Sequence, residues 1–323
     1  MVKTALGIDI GGTTVKAGIV SSSGRIIEKK VLPHDVPSNP RLVVSRISSA
    51  VRSMDSWSRG YSLKKLSGIG IAVAGDTDPF KGTVRVAVNF GWKNAGIRDM
   101  FRREFRLPVM LDNDANAACW GSYCIELKRK IKNMLCVSLG TGVGGGIVTE
   151  GRLYRGTAGT AGEIGHMTVY PDGAECPCGN RGCLERYVGA YDIVREVRRR
   201  IRAGTKTVLS GWIRRKGIKL TPELVYRAAV RGDAFSRKLL LKAGGDIGTA
   251  VVSMVNILNP GAVVLCGGIS SAGSYILGPV KKAVRERALP GASRGIKIFT
   301  SKLGGNLGLA GAACMAMYPT NEI

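Results

Sequence analysis

The chain has 323 residues, 45% of them hydrophobic, with 45 glycines, so it can build two cores of ordinary size joined by many tight turns. Lys and Arg number 48 against 23 Asp and Glu, a net charge of +25 that raises nucleic acid as a partner. The basic clusters Lys128-Arg129-Lys130, Arg195 to Arg202 and Arg214-Arg215-Lys216 carry no aromatic interleaving and no recognised nucleic-acid motif, so nucleic acid is not the expected partner.

The first residues alternate strongly. Leu6, Ile8 and Ile10 share one face, followed by Val15, Ala17 and Ile19, and this predicts two strands joined by Gly11-Gly12-Thr13-Thr14. A third strand is expected over 25–31, a helix over 42–54 and a strand over 68–74 that ends in Gly75. A short strand at 109–111 runs into Asp112-Asn113-Asp114, with a helix from about Ala115. The pattern then repeats: strand 135–139, turn Gly140-Thr141-Gly142, returning strand 144–148. Such duplication points to two related α/β domains facing one another.

In the Arg195 to Arg202 run, Val194, Val197 and Ile201 keep helical spacing, so the arginines take the solvated side. Thr221 and Pro222 read as an N-cap and first helical position. Asp233 opens the next helix, which ends at Asn259-Pro260. A strand at 263–266 leads to Gly267-Gly268, and a small-residue helix over 307–317 follows. The longest apolar region, 250–266, is broken by Ser253, Asn256, Asn259 and Pro260 and does not read as a membrane span. No stretch resembles a secretion signal, so a cytoplasmic location is expected. The absence of glutamine, together with abundant charge, suggests a thermophilic source.

Of eight cysteines, Cys119, Cys124, Cys136, Cys266 and Cys314 stand in apolar contexts and are expected to be small buried hydrophobes. The other three, Cys176, Cys178 and Cys183, follow His166 within the stretch GEIGHMTVYPDGAECPCGNRGCLE. Three thiols and an imidazole at this spacing suit a tetrahedral zinc site, and Glu163 and Glu185 flank it as if a metal-held surface presented a polar ligand. The turn at Gly11, Gly12, Thr13 and Thr14 is a candidate phosphate cradle, because two glycines let successive N–H groups face an anion and the threonines add hydroxyls. Asp9, at the strand end, is placed to hold magnesium through water. Gly140, Thr141 and Gly142 form a second such turn, and Gly267 and Gly268 would let a nucleotide lie close to the backbone.

These turns, in this order, resemble the actin and sugar-kinase ATPase plan, and the GEIGH…CxCGxxGCLE block resembles the signature of the ROK family of sugar kinases and sugar-responsive repressors. The resemblance runs from about Ala5 to Ala313. It implies an α/β fold of two related actin-like (ribonuclease H-like) ATPase domains with a ligand cleft between them, cut at 1–113 plus a C-terminal helix at about 305–323, and 114–304. It also implies roles. Asp114 sits where the family places its catalytic carboxylate, with Asp112 as the competing carboxylate in the same loop. Asn113, Asn89, Glu163, His166 and Glu185 match positions that hydrogen-bond sugar hydroxyls, and Gly75 lines the same place. His166, Cys176, Cys178 and Cys183 would be a closed, structural zinc set. Ser122 stands where the family often has Glu, and the 304–308 stretch lacks a common acidic residue, so neither receives a chemical role.

The expected activity is ATP- and magnesium-dependent phosphorylation of a hexose at C6, glucose above others, by a homodimer. The alternatives are a kinase for N-acetylmannosamine, N-acetylglucosamine or fructose, or a sugar-responsive regulator. The last is disfavoured because the first phosphate turn begins at Gly11, leaving no room before it for a helix-turn-helix domain.

Overall fold

The computed structural model describes residues 2–12, 14–33, 39–57, 60–215 and 218–320. They form two compact units whose sequences interleave: 1–132, 146–162 and 305–323 in the first, 133–145 and 163–304 in the second.

The strands of the first sheet are β1 (Thr4–Ile10), β2 (Thr14–Ser21), β3 (Ile26–Pro33), β4 (Ile69–Val73) and β8 (Val109–Asn113), in the order β3-β2-β1-β4-β8. The hairpin and third strand pair antiparallel, while β4 and β8 run parallel to β1. Parallel strands buried on both faces need continuous apolar runs, and β4 is buried at all five positions. The strand read as 109–111 continues to Asn113, because Asp112 and Asn113 still pair with Ala72 and Val73. Alternation does not reveal a strand whose last two residues are polar. Three short strands, β5 (Asp76–Asp78), β6 (Thr83–Ala87) and β7 (Trp92–Ala95), form a separate sheet that the sequence did not announce.

The second sheet contains β9 (Met134–Leu139), β10 (Val143–Thr149), β11 (Arg152–Tyr154), β12 (Ala262–Cys266) and β13 (Lys297–Thr300), in the order β11-β10-β9-β12-β13. The division into units falls within β10. Both sheets carry three meandering strands followed by two parallel ones, so the duplication legible in the two glycine turns extends to whole-sheet topology.

The helices of the first unit are α1 (Pro40–Arg52), α2 (Ile97–Phe105), α3 (Asp114–Gly121) and α11 (Leu307–Met317); between them in sequence lie α4 (Glu185–Val188), α5 (Ala190–Arg202), α6 (Leu209–Arg214), α7 (Pro222–Val230), α8 (Ala234–Leu258), α9 (Ser274–Arg287) and α10 (Pro290–Ser293) of the second. The cap signals appear as side-chain bonds: Thr221 Oγ1 accepts from Leu224 N and Asp233 Oδ1 from Ser236 N. In α5 the buried face is Ile193 and Val197, one position away from the expected Val194, and the arginines point outward. Among the described residues no helix is long and apolar enough to cross a membrane.

The small side chains of α11 have a steric cause. A Cβ on Gly70 of β4 would stand 1.7 Å from the carbonyl oxygen of Ala312, and one on Gly311 would stand 1.9 Å from that of Ala117 in α3. The helix is therefore wedged between the strands and α3 at backbone contact distance. Replacing Gly70 with Ala forces that helix outward; we expect a loss of about 3 kcal/mol or more, since overpacking of flexible neighbours already costs about 1–3 kcal/mol. A melting temperature within about 1 °C of wild type would refute the wedge.

Candidate active site and cysteine cluster

In the first unit, β1, β4 and β8 are parallel and in register, with Ile10 beside Val73 and Val73 beside Asn113. Asp9, Gly75 and the Asn113-Asp114 pair thus arrive at one sheet edge, the carboxyl ends of the strands, where α/β folds place their ligands. The turn between β1 and β2 closes with Gly11 N donating to Thr14 O at 3.0 Å. Thr13 lies outside the described residues. Asn89, on an exposed 3₁₀ turn at Val88–Phe90, lies against Gly12: a Cβ there would be 2.9 Å from Asn89 Nδ2.

Asp9 is not isolated. Lys16 faces it across the hairpin, with Nζ 3.4 Å from Asp9 Oδ2, and also donates to Gly305 O at 2.7 Å. Burial pushes the Asp9 carboxyl above its usual range, and Lys16 offsets part of that shift. Gly308 closes the other side, since a Cβ there would be 2.9 Å from Asp9 Oδ2. The 305–308 stretch, to which the sequence lends no chemical role, therefore walls the Asp9 corner. A single hard carboxylate beside a glycine turn suits magnesium that keeps most of its waters.

The two carboxylates of the 112–114 loop separate cleanly. Asp112 is fully buried; its Oδ1 accepts from Asn113 N at 2.8 Å and Asn116 Nδ2 at 2.9 Å, and its Oδ2 from Arg155 Nε at 2.7 Å. Asp114 is half-buried at the first position of α3, where Oδ1 accepts from Ala115 N at 2.9 Å. Asp112 is thus an internal anchor and cannot meet a substrate. Asn113 is the N-cap of α3, accepting from Ala115 N at 2.8 Å and donating to Gly75 O at 3.1 Å. That fixes the loop and leaves one amide N–H for a ligand.

Arg155 is the residue that sequence reasoning missed. It is 8% exposed and also bonds Thr320. Its distance along the chain from Asp112 gave no signal. Arg155→Met would strand the Asp112 charge, and removing one member of a buried pair costs about 3–5 kcal/mol. The expected result is a large fall in the urea midpoint, mostly recovered in the Asp112→Asn/Arg155→Met double variant. Equal instability in single and double variants would contradict it.

Ser122 is fully buried where α3 passes into a π-helical turn, Ser122–Glu126, and its hydroxyl bonds the Glu126 carboxylate. It belongs to packing. The five cysteines outside the cluster are all buried.

In the second unit, Gly140 to Gly142 and Gly267-Gly268 follow parallel neighbours, with Cys266 opposite Ser138. Gly267 has φ +86° and a Cβ on it would be 2.4 Å from Leu139 O, so both conformation and space require glycine. Glu185 reaches the same hairpin: its Oε2 accepts from Val143 N at 2.8 Å, and a Cβ on Gly142 would come within 2.2 Å of that oxygen. Glu163 precedes the 3₁₀ turn Ile164–His166, and within that turn Gly165 abuts Val143 O, where a Cβ would be 2.1 Å away. Glu185 therefore borders the second glycine turn, and the turn that carries His166 packs on Val143 just after it.

His166, Cys176, Cys178 and Cys183 bring one ligand atom each within 4.8 Å of one another. Cys176 Sγ is 3.8 Å from His166 Nδ1, and Cys178 Sγ is 3.7 Å from Cys183 Sγ. Tetrahedral zinc with bonds of about 2.0–2.3 Å spaces its ligands about 3.6–3.8 Å apart. The donor set and spacing fit that ion, with Nδ1 as the ligating nitrogen and Nε2 left over. The Asn180 backbone N–H, then the neighbouring thiols and His166, lower the Cys178 thiol to about 7. Burial, then the adjacent thiols, push Cys183 up to about 12. A cation among them would favour both thiolates.

Known proteins resemble this chain over nearly its whole length. A glucokinase of Halalkalibacterium halodurans is 35% identical over 98% of this chain and 96% of its own length. The crystal structure of a ROK family glucokinase from Streptomyces griseus, in complex with glucose and AMPPNP, superposes with a TM-score of 0.82 at 32% identity, covering 97% of this chain and 99% of that one. A xylose repressor of Caldicellulosiruptor bescii is 29% identical over 98% of this chain and 78% of its own. The ROK family model matches residues 5–318, and the chain belongs to the ROK family.

Proposed function

We propose that the chain is an ATP-dependent glucokinase that transfers the γ-phosphoryl group to the C6 hydroxyl of glucose. The observation that carries this reading is the division of labour in the catalytic loop: Asp112 is buried on Arg155, while Asp114 stands at the strand-end edge beside the glycine turn. Asp114 accepts the proton of the attacking hydroxyl, and Asn89, Asn113, Glu163, His166 and Glu185 orient the sugar through its hydroxyls. Backbone N–H groups of 11–14 and 140–142 cradle the phosphates, and Gly267-Gly268 leaves room for the nucleoside. Asp9 would hold magnesium, which supplies charge neutralisation on the phosphates. Zinc on the cysteine cluster would be structural, keeping His166 and Glu163 in place. A homodimer in the cytoplasm completes the reading, and a monomer mass by sedimentation would remove the former.

A coupled ADP-release assay over glucose, fructose, mannose, N-acetylglucosamine and N-acetylmannosamine tests it. Glucose is expected to give the highest kcat/KM, another sugar in first place would reassign the substrate, and flat rates across the panel reject the kinase. The xylose-repressor relative keeps a regulator as the second reading; DNA binding that falls steeply with salt, without phosphotransfer, would establish it.

A further inference from the structure

We propose that the second unit carries a separate binding site for a phosphorylated ring compound, in a cavity behind the cysteine loop. The cavity has a volume of about 700 Å³, in the range of small-molecule sites. One wall is the 170–174 loop, which lies between His166 and Cys176 in the chain. The others are the end of α4, a flank of α5 and Leu239 with Lys242 of α8.

Two features set this place apart from an ordinary solvated helix face. The rings of Tyr170 and Tyr187 meet edge to face at 4.7 Å, with Lys242 Nζ 4.9 Å and 5.5 Å from their centroids. They form an aromatic wall for a sugar ring or a base, with Tyr170 Oη held by Asp246 and Tyr187 Oη by Ala174 N. Around it stand five cations, Arg186, Arg195, Arg199, Arg200 and Lys242, against three lining carboxylates, Asp172, Asp192 and Glu196, with Asp246 behind them paired to Lys242 at 2.7 Å and accepting from Tyr170 Oη at 2.6 Å. Asp192 is buried on Arg186 and Arg195, and Glu196 bonds Arg199 and Arg200. The last two arginines are 61% and 51% exposed, so their pairing with Glu196 is weak and a phosphate can compete for their planar donors.

The site has a route to the candidate active centre within its own unit. Ala174 N donates to Tyr187 Oη at 2.8 Å, which ties the loop to α4. The first residue of α4 is Glu185, bonded to Val143 N. An occupant that touches Arg186 and Tyr187 therefore bears on the helix that carries a sugar-binding carboxylate. Its affinity and that for the sugar should be linked. This linkage rests on the kinase reading; the binding site does not.

The test is calorimetric titration with glucose 6-phosphate, AMP and inorganic phosphate, on wild type and on the Arg199→Ala/Arg200→Ala variant, both first saturated with glucose and AMPPNP. One equivalent of a phosphate ester should bind, at least about tenfold more weakly in the variant. The variant's ADP release without added ester should be unchanged, and failure of the kinase reading would appear there and not in the titration. Preference between the two esters distinguishes a sugar phosphate from a nucleotide. No ester binding, or binding that the variant leaves unaltered, overturns the proposal. So does binding of inorganic phosphate alone, because the aromatic wall would then have no part.

Discussion

Asp114→Asn is expected to lower kcat by roughly 10²–10⁴-fold while leaving glucose affinity within about threefold, the signature of a lost proton acceptor. Asparagine keeps the shape and the oxygen that accepts from Ala115 N, so α3 should start where it does now. It removes only the basicity needed when the hydroxyl attacks. The neighbouring Asp112 gives the contrast. It is enclosed by Arg155, Asn116 and the Asn113 amide, so changing it should be felt first in stability. Steady-state kinetics with equilibrium sugar binding decide the matter. Near-normal turnover in Asp114→Asn would assign the chemistry to another residue.

Loss of metal from the cysteine cluster should be a large stability effect. The described structure between His166 and Cys183 consists of turns and bends, with the isolated bridges Thr168 to Cys183 and Glu175 to Arg181 in place of strands or helices. Loops of that kind gain their rigidity from the ion, and ligand binding to the folded state is folding free energy. Cys178→Ser is the cleanest probe, because Cys178 is exposed and its loss leaves no cavity, whereas Cys183 is buried. We expect this variant, or the wild type with a strong chelator, to melt roughly 10 °C lower, on the scale of about 2–4 °C per kcal/mol for a unit of this size. Sugar binding should weaken in parallel, because His166 and Glu163 lean on the same turn. Metal analysis without one zinc per chain would end this argument.

Much of the frame was legible before any coordinates. Hairpins with two-residue alternation around Gly11-Gly12 and Gly140-Thr141-Gly142 speak directly through hydrophobic period, and the duplication they suggest is repeated in both sheets. The cysteine cluster was legible because its ligands are close in sequence. The β5–β7 sheet was not, since its strands have three to five residues and few apolar side chains. Within 112–114 the family resemblance favoured Asp114, but the residues alone did not separate the two carboxylates. An aspartate pattern does not say which carboxylate an arginine forty-three residues away will take. Lys16 could have been suspected, as it stands opposite Asp9 if the hairpin is drawn in register.

The wedge made by α11 also has a consequence for biosynthesis. The strand that carries Asp9 and the one that leads into Asp114 emerge from the ribosome early, but the helix they close around is translated only after residues 163–304 have been made. The first unit can therefore close only at the very end of synthesis and waits until then with an open apolar groove. The earlier half thus cannot mature ahead of the rest, against the usual N-terminal-first order. A released chain truncated after residue 304 should resist protease over 163–304 and be cut readily within 1–132.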